Sequence, residues 1–196
     1  MSAPPAPSNT DVIAAMRRWV DKAVIGLNLC PFAKAVQVKG QVRYVVSDAR
    51  TADALLADLG TELELLHATP PEQTDNTLLI HPHVLGEFFD FQTFLPRADA
   101  ALKKARLVGE IQIASFHPHY QFADTDPEAI SNYTNRAPFP TLHLLREASI
   151  ERAVESVPAE SIYENNIQTL TKLGHAGWEK LGIKPAGTPE AGRVED

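Results

Sequence analysis

Three short strand-like segments that alternate with longer segments of helical periodicity constrain the fold of this chain most strongly. The strand-like segments are 41–47, 76–81 and 110–116, and helices are predicted at 51–67 and 85–106. Strands that alternate with helices are typical of sheets whose neighbouring strands are joined by helical crossovers. We therefore predict an α/β fold of two or three layers, with a small sheet of three to five strands.

Extra helices are predicted at both ends of this core. Apolar residues recur with helical period over 10–25, and a last helix is predicted over 159–173. Segment 140–157 fits either one helix or a strand at 141–145 followed by a helix. In the second case, a ferredoxin-like α+β arrangement is the alternative to the α/β fold.

The chain has the length and composition of one ordinary domain. It has 196 residues, of which 44% are hydrophobic, so it can form a core without a metal or disulfide. Residues 1–9 and 184–196 are rich in small residues and proline, and we predict a disordered leader and a disordered tail. A single globular domain is therefore expected over 10–183.

Charge and cysteine content narrow the function classes. The formal net charge of −7 argues against nucleic acid or an anionic membrane as the main partner. The single cysteine excludes an internal disulfide and fits a reducing compartment. No secretory signal and no apolar run long enough to span a membrane is seen, so we expect a soluble, cytoplasmic protein.

The long irregular segment 117–139 is the first candidate for a functional site. Segments of this length without regular structure are uncommon in compact domains and are often functional. This one is rich in polar and aromatic residues that could form a site or anchor the loop to the core. They are His117, His119, Tyr120, Phe122, Asn132, Tyr133, Asn135 and Arg136.

Three motifs carry a family resemblance. They are GLNLCPFA at 26–33, ASFHPHYQF at 114–122 and NYTNRAPFPTLHLLREAS at 132–149. Together they resemble the bacterial and plant family called domain of unknown function 1415, over about 10–182. The resemblance implies no catalytic residues. His119 stands where this family often has other residues, such as Asp.

Cys30 is a candidate nucleophile. We predict that Pro31 begins a short helix with Cys30 as its N-cap, where oriented N–H groups stabilise a thiolate. His117 and His143 are the available bases. In the alternative, Cys30 is a structural residue that packs with its apolar neighbours Leu27, Leu29 and Phe32.

The tripeptide His-Pro-His occurs twice, at 81–83 and 117–119, each time directly after a predicted strand. If the two strands are parallel, both motifs lie at the same sheet edge, where open α/β sheets bind ligands. Four imidazoles there, or a smaller site that includes His117, would suit zinc or iron. Alternatively, proline simply ends each strand.

His143, Arg146 and Glu147 would share one face if 140–157 were a helix. His143 and Glu147 could then bind a metal, while Arg146 and Arg136 could clamp a carboxylate or phosphate. The structural alternative is an ion pair between Glu147 and Arg136. The other residues expected to contact an anionic substrate are Asn135 and Tyr120.

These observations leave three hypotheses, because no dinucleotide, Walker, serine-hydrolase, dithiol or zinc-protease motif is present. The leading one is a small-molecule enzyme, with or without zinc or iron, that acts on an anionic substrate. Its catalytic residues would be His117, Glu147 and Cys30, with His117 and His143 as metal ligands. The others are a non-enzymatic interaction or regulatory module, and a nucleophilic or redox enzyme based on the Cys30 thiol.

Overall fold

The computed structural model describes residues 7–154 and 159–184. The expected tail beyond residue 184 and residues 1–6 of the expected leader lie outside these ranges. The prediction of disorder is wrong for the last two residues of that leader, because Ser8 caps the first helix and this helix begins at Asn9.

Four strands form one mixed sheet in the order β1-β2-β4-β3. Their bounds are β1 Val42–Val46, β2 Asn76–Ile80, β3 Ile111–Phe116 and β4 Thr141–Arg146. β1 and β2 are parallel, whereas β4 is antiparallel to both β2 and β3. The predicted small α/β sheet is confirmed.

The position of β4 corrects two expectations. Segment 140–157 is a strand followed by a helix, so the single-helix interpretation is wrong: Leu142 and Leu144 point to one side of the sheet and His143 to the other. β4 also lies between β2 and β3, which are therefore not neighbours. The fold is not the ferredoxin-like alternative, because both α-helical crossovers precede β3 and only an irregular segment with a short 3-10 helix joins β3 to β4.

Helices cover both faces of the sheet. α1 continues into a π-helical segment, and a short 3-10 helix lies in the irregular segment before β4. The bounds are α1 Asn9–Trp19, the π-helical segment Val20–Ile25, α2 Ala33–Val38, α3 Ala52–Ala68, α4 Phe88–Lys104, the 3-10 helix Ile130–Thr134, α5 Glu147–Val154 and α6 Ala159–Glu179.

Local sequence explains where these helices begin. Ser8 and Asp11 form a reciprocal capping box at the start of α1, and Thr51 caps α3 through the Ala54 N–H.

Two helices contain residues that often end helices. Pro96 lies within α4 without ending it, and Gly174 interrupts α6 with a φ of 62°. The predicted long helices are thus present, with shifted ends.

Two apolar cores make the fold a three-layer structure. On the α3/α4 face, leucines of α3 and Phe91 of α4 pack against Leu79, Leu142 and Leu144. On the opposite face, called the α1 face, residues of α1 and Leu170 of α6 pack with Leu78 and Ile80. Within the described ranges, no helix combines the length and apolarity that crossing a membrane requires.

Candidate functional site

A cavity of about 700 Å³ lies on the α1 face of the sheet. Its walls come from the end of α1, the π-helical segment, the turn before α2 and the start of α5, and its floor is the sheet. The lining is largely apolar, as is typical of small-molecule sites. The lining residues used below are Trp19, Cys30, Leu78, Ala114, Phe116 and His143.

Strand register gives the cavity a direction. Phe116 pairs with Thr141 at one end, Ala114 and Leu78 flank His143 in the middle, and Asn76 pairs with Leu145 at the other end. The two outer rows, at Thr141 and Leu145, are four residues apart along β4, which corresponds to about 13 Å. The cavity thus extends along the strands from an aromatic end to an end near Asn76.

The end near Asn76 is polar. Ser149 donates a hydrogen bond from its hydroxyl to Asp75, with an O···O distance of 2.6 Å, and Arg152 donates to the same hydroxyl at 3.0 Å. The exposed side chains of Lys39 and Glu72 also border this end. A ligand can therefore place an apolar body inside and a polar group here.

His143 lies half-way along the floor. Its Nε2 is 3.1 Å from Oδ1 of Asn76. Because an amide oxygen can only accept, Nε2 carries the ring proton and donates a hydrogen bond to Asn76. Burial lowers the pKa of His143 to about 4, and the ring is neutral at pH 7. Nδ1 keeps its lone pair and receives no hydrogen bond from the described residues. His143 is thus an acceptor within an apolar cavity.

Cys30 lies on the wall of the same cavity and is half-buried. It does not cap a helix: α2 begins at Ala33, and Phe32 holds the N-cap position. Instead, the Cys30 N–H donates to the Val24 carbonyl of the π-helical segment, at an N···O distance of 3.3 Å. The N-cap prediction is wrong by two residues, because Cys30 and Pro31 still belong to the preceding turn.

The π-helical segment shapes the wall next to Cys30. Val20 and Val24 lie on the cavity lining, and π-helical turns are rare and often occur at functional sites. Gly26 closes the segment, and a Cβ there would come within 2.3 Å of the Lys22 carbonyl oxygen. Glycine is therefore required to bring Cys30 to the cavity in this way.

The aromatic end contains an unsatisfied donor. Trp19 is 1% exposed and contacts Phe116 edge-to-face, with ring centroids 5.0 Å apart. Its indole Nε1 is buried and has no hydrogen-bond partner among the described residues. Buried donors without an acceptor are uncommon, so this wall is one of the few unsatisfied places in the described chain.

The two His-Pro-His motifs lie at one sheet edge, as predicted, but on the α3/α4 face. The rings of His81 and His117 both contact the ring of Phe91, at centroid distances of 5.5 Å and 5.2 Å. Burial lowers the pKa of both histidines to about 4. The edge carries two buried, neutral imidazoles, whereas His119 is exposed.

Both ring nitrogens of His117 are occupied by the backbone. Nδ1 accepts from the His119 N–H at 3.0 Å, and Nε2 donates to the Leu85 carbonyl at 3.2 Å. Nδ1 of His81 donates to the Val84 carbonyl, and Nε2 is buried without a partner among the described residues. Among those residues, no three His, Cys, Asp or Glu side chains form a group that could hold a metal ion.

His117 and His143 cannot bind one ion together. His143 faces the cavity on the α1 face, whereas His117 packs on Phe88 and Phe91 of α4 on the other face. The helical pairing of His143 with Glu147 is wrong as well, since His143 is in β4 and Glu147 begins α5.

The two arginines lie near opposite ends of β4, about 17 Å long. Arg136 donates to the carbonyls of Tyr120 and Pro127, at 3.1 Å and 2.6 Å, and stacks on the Tyr133 ring. Arg146 donates to carbonyls that follow α3 or end it. These belong to Leu66, Thr69 and Thr74. The predicted anion clamp is therefore not formed.

The remaining residues of the predicted anion site, Glu147, Asn135 and Tyr120, do not lie together either. Glu147 follows the end of β4 that is distant from Arg136, so the alternative ion pair between them is not formed either. Asn135 and Tyr120 lie in the loop near His117. Asn135 donates from its side chain to the Ser115 carbonyl at 3.3 Å, and burial raises the pKa of Tyr120.

Sequence reasoning missed several cavity residues. From the sequence, Asn76, Trp19 and Phe116 are recognisable only as parts of strands and helices, since their roles at the cavity depend on pairing between distant segments. One signal was present: Asn76 is a polar residue at the head of an otherwise apolar strand, and a fully covered strand needs a partner for such a group.

The fold and the cavity define a three-layer α/β protein with a ligand-sized cavity on one face of its sheet. The chain belongs to the family described as Protein of unknown function (DUF1415), whose sequence model matches residues 11–180. The resemblance seen in the three motifs is thereby confirmed. No curated protein and no solved structure matches the chain.

Proposed function

We propose that the protein is a small-molecule enzyme that binds a largely apolar substrate in the α1-face cavity and acts on it through His143 and Cys30. The observation that carries this proposal is the cavity itself, which holds the only thiol of the chain and a neutral imidazole whose Nδ1 has no partner among residues 7–154 and 159–184. Small-molecule sites commonly combine an apolar lining with a few convergent polar groups.

The protonation of His143 decides what kind of chemistry this site supports. Ordinary thiols lose their proton near pH 8.5, so an imidazole with a pKa of about 4 is a poor acceptor for a thiol proton. A preformed thiolate–imidazolium pair is therefore disfavoured. We propose instead that His143 accepts a hydrogen bond from the substrate, while Cys30 contacts the substrate from the wall of the same cavity.

In this proposal, His117, Arg136 and Arg146 have structural roles. Their hydrogen-bonding groups are engaged with backbone carbonyls or N–H groups. A residue that satisfies buried backbone groups in this way is costly to remove, since those groups would lose their partners. The small-molecule enzyme hypothesis is kept, but the proposed site is the cavity on the α1 face and not the loop that contains His117 and Arg136.

Alkylation of Cys30 tests whether small molecules enter the cavity. Because Cys30 is the only cysteine, iodoacetamide labelling reports on one position. We expect indole, a planar apolar probe, to slow labelling at least threefold. In Ala114→Phe, a phenyl ring should fill the middle of the cavity and abolish this protection, since Ala114 lies on the floor beside His143.

Ala100→Phe is the matched control, since Ala100 is exposed on α4. This variant should keep the protection seen in the unmodified protein. If indole protects Cys30 equally in Ala114→Phe, or in neither protein, the cavity is not the binding site. Thermal unfolding of each variant establishes that it is folded before labelling is compared.

A second candidate, supported by the half-buried position of Cys30 on the lining, is nucleophilic or redox chemistry at the thiol itself. A reactive thiolate is the species that attacks in such enzymes. Labelling rates from pH 6 to pH 9 test it. A native thiol that stays unreactive up to about pH 9, above the value of about 8.5 for free thiols, excludes this candidate.

A further inference from the structure

The shape, walls and hydrogen bonding of the cavity point to one class of ligand. We infer that the natural ligand is a planar aromatic molecule whose O–H or N–H group donates a hydrogen bond to Nδ1 of His143. This inference rests on the proposed function and names its substrate class. Three observations support it: the breadth of the cavity, its aromatic wall and the donor pattern around His143.

The breadth of the cavity favours a ring system over a single chain. A volume of about 700 Å³ over a length of about 13 Å gives a mean cross-section of roughly 50 Å². An extended alkyl chain, whose atoms approach their neighbours to about 4 Å, fills less than half of that section. A fused ring system occupies more of it.

A row of aromatic rings extends from the Trp19 wall of the cavity onto its floor. The Trp19 and Phe116 centroids are 5.0 Å apart, and the Phe116 and His143 centroids are 5.7 Å apart. Aromatic rings pair at centroid distances of 4.5–7 Å in offset or edge-to-face geometry. A planar ligand can therefore contact this row along its length, whereas a flexible chain gains no such pairing.

The hydrogen bond to Asn76 determines what His143 can offer the ligand. Because Nε2 donates to Oδ1 of Asn76, the imidazole has no second proton and Nδ1 acts only as an acceptor. Since the ring is neutral and lies in an apolar cavity, a ligand group that can only accept would leave this nitrogen unpaired. The complementary ligand group is a donor.

Indole, 1-methylindole and octan-1-ol separate these properties. Indole and 1-methylindole are both planar, but only indole has an N–H donor, whereas octan-1-ol has a donor and no ring. Isothermal titration calorimetry on the full chain should give one indole site. A neutral hydrogen bond predicts that 1-methylindole binds about five- to tenfold more weakly, and octan-1-ol should bind at least tenfold more weakly than indole.

His143→Phe keeps a ring of similar size and removes the acceptor. In this variant, indole and 1-methylindole should bind equally. A measurement on the unmodified protein covers the case in which this variant does not fold: the nitrogen-15 resonance of Nδ1 of His143 should shift on addition of indole and stay in place with 1-methylindole.

The outcomes separate this inference from the proposed function. If 1-methylindole or octan-1-ol binds as tightly as indole while Cys30 is still protected, the ligand class is wrong and the cavity remains the site. If the Nδ1 resonance responds equally to both indoles, the donor assignment is overturned. If no probe binds and Cys30 is never protected, the proposed function itself fails.

Discussion

At the scale of single residues, three buried histidines make the free energy of unfolding depend on pH. Burial lowers the pKa values of His81, His117 and His143 to about 4, against about 6.5 for a solvated imidazole. Between these values the unfolded chain binds more protons than the folded protein. The free energy of unfolding is therefore fully retained above pH 6.5 and falls as the pH drops toward 4.

We predict that stability falls by about 2 kcal/mol per buried histidine between pH 7 and pH 5. Urea unfolding at several pH values measures it. His117→Gln should reduce the pH dependence by about one third, since His117 is one of the three buried imidazoles. An unfolding free energy that is the same at pH 7 and pH 5 would show that these imidazoles are solvated or charged in the folded protein.

At the scale of elements, Arg146 joins the end of β4 to the end of α3. Its guanidinium donates to the carbonyl of Leu66 in the last turn of α3 and to the carbonyls of Thr69 and Thr74 in the turn that follows. Arg146→Ala should therefore lower the free energy of unfolding by about 2–3 kcal/mol. Arg97→Ala, which breaks an exposed ion pair with Asp53, should cost at most about 1 kcal/mol.

The same pair of variants tests whether Arg146 is an anion-binding residue, as its sequence context suggests. An anion-binding role predicts a protein of normal stability with weakened binding of an anionic ligand. A structural role predicts the reverse, namely loss of stability measured by denaturant unfolding. Normal stability of Arg146→Ala would contradict the role of this side chain in joining β4 to α3.

Elements whose signals are local were predictable from the sequence. β1, β2, β3, α3 and α4 follow from apolar periodicity, and Thr51 marks the start of α3 as expected. The insertion of β4 between β2 and β3 was not predictable, because it depends on pairing between residues more than 60 positions apart. The same limit explains why Arg136 and Arg146, ten residues apart in sequence, were wrongly grouped.

At the scale of the whole molecule, the sheet separates two polar regions that the sequence places close together. His117 packs on Phe88 and Phe91 of α4 at the α3/α4 face, and His143 opens on the α1 face. Cys30 and His143 were both identified as candidates from sequence. Their meeting at one cavity required the strand register, since alternation along β4 decides which face His143 occupies.

Chemical-shift mapping of the full chain with indole tests most directly whether this cavity is the binding site. Proton–nitrogen spectra report on backbone amides of both faces at once. We predict that the largest shifts occur at Cys30, Ala114 and His143. Shifts at His117 and Arg136, with the cavity residues unchanged, would contradict binding in the cavity and favour a site in the loop that contains these two residues.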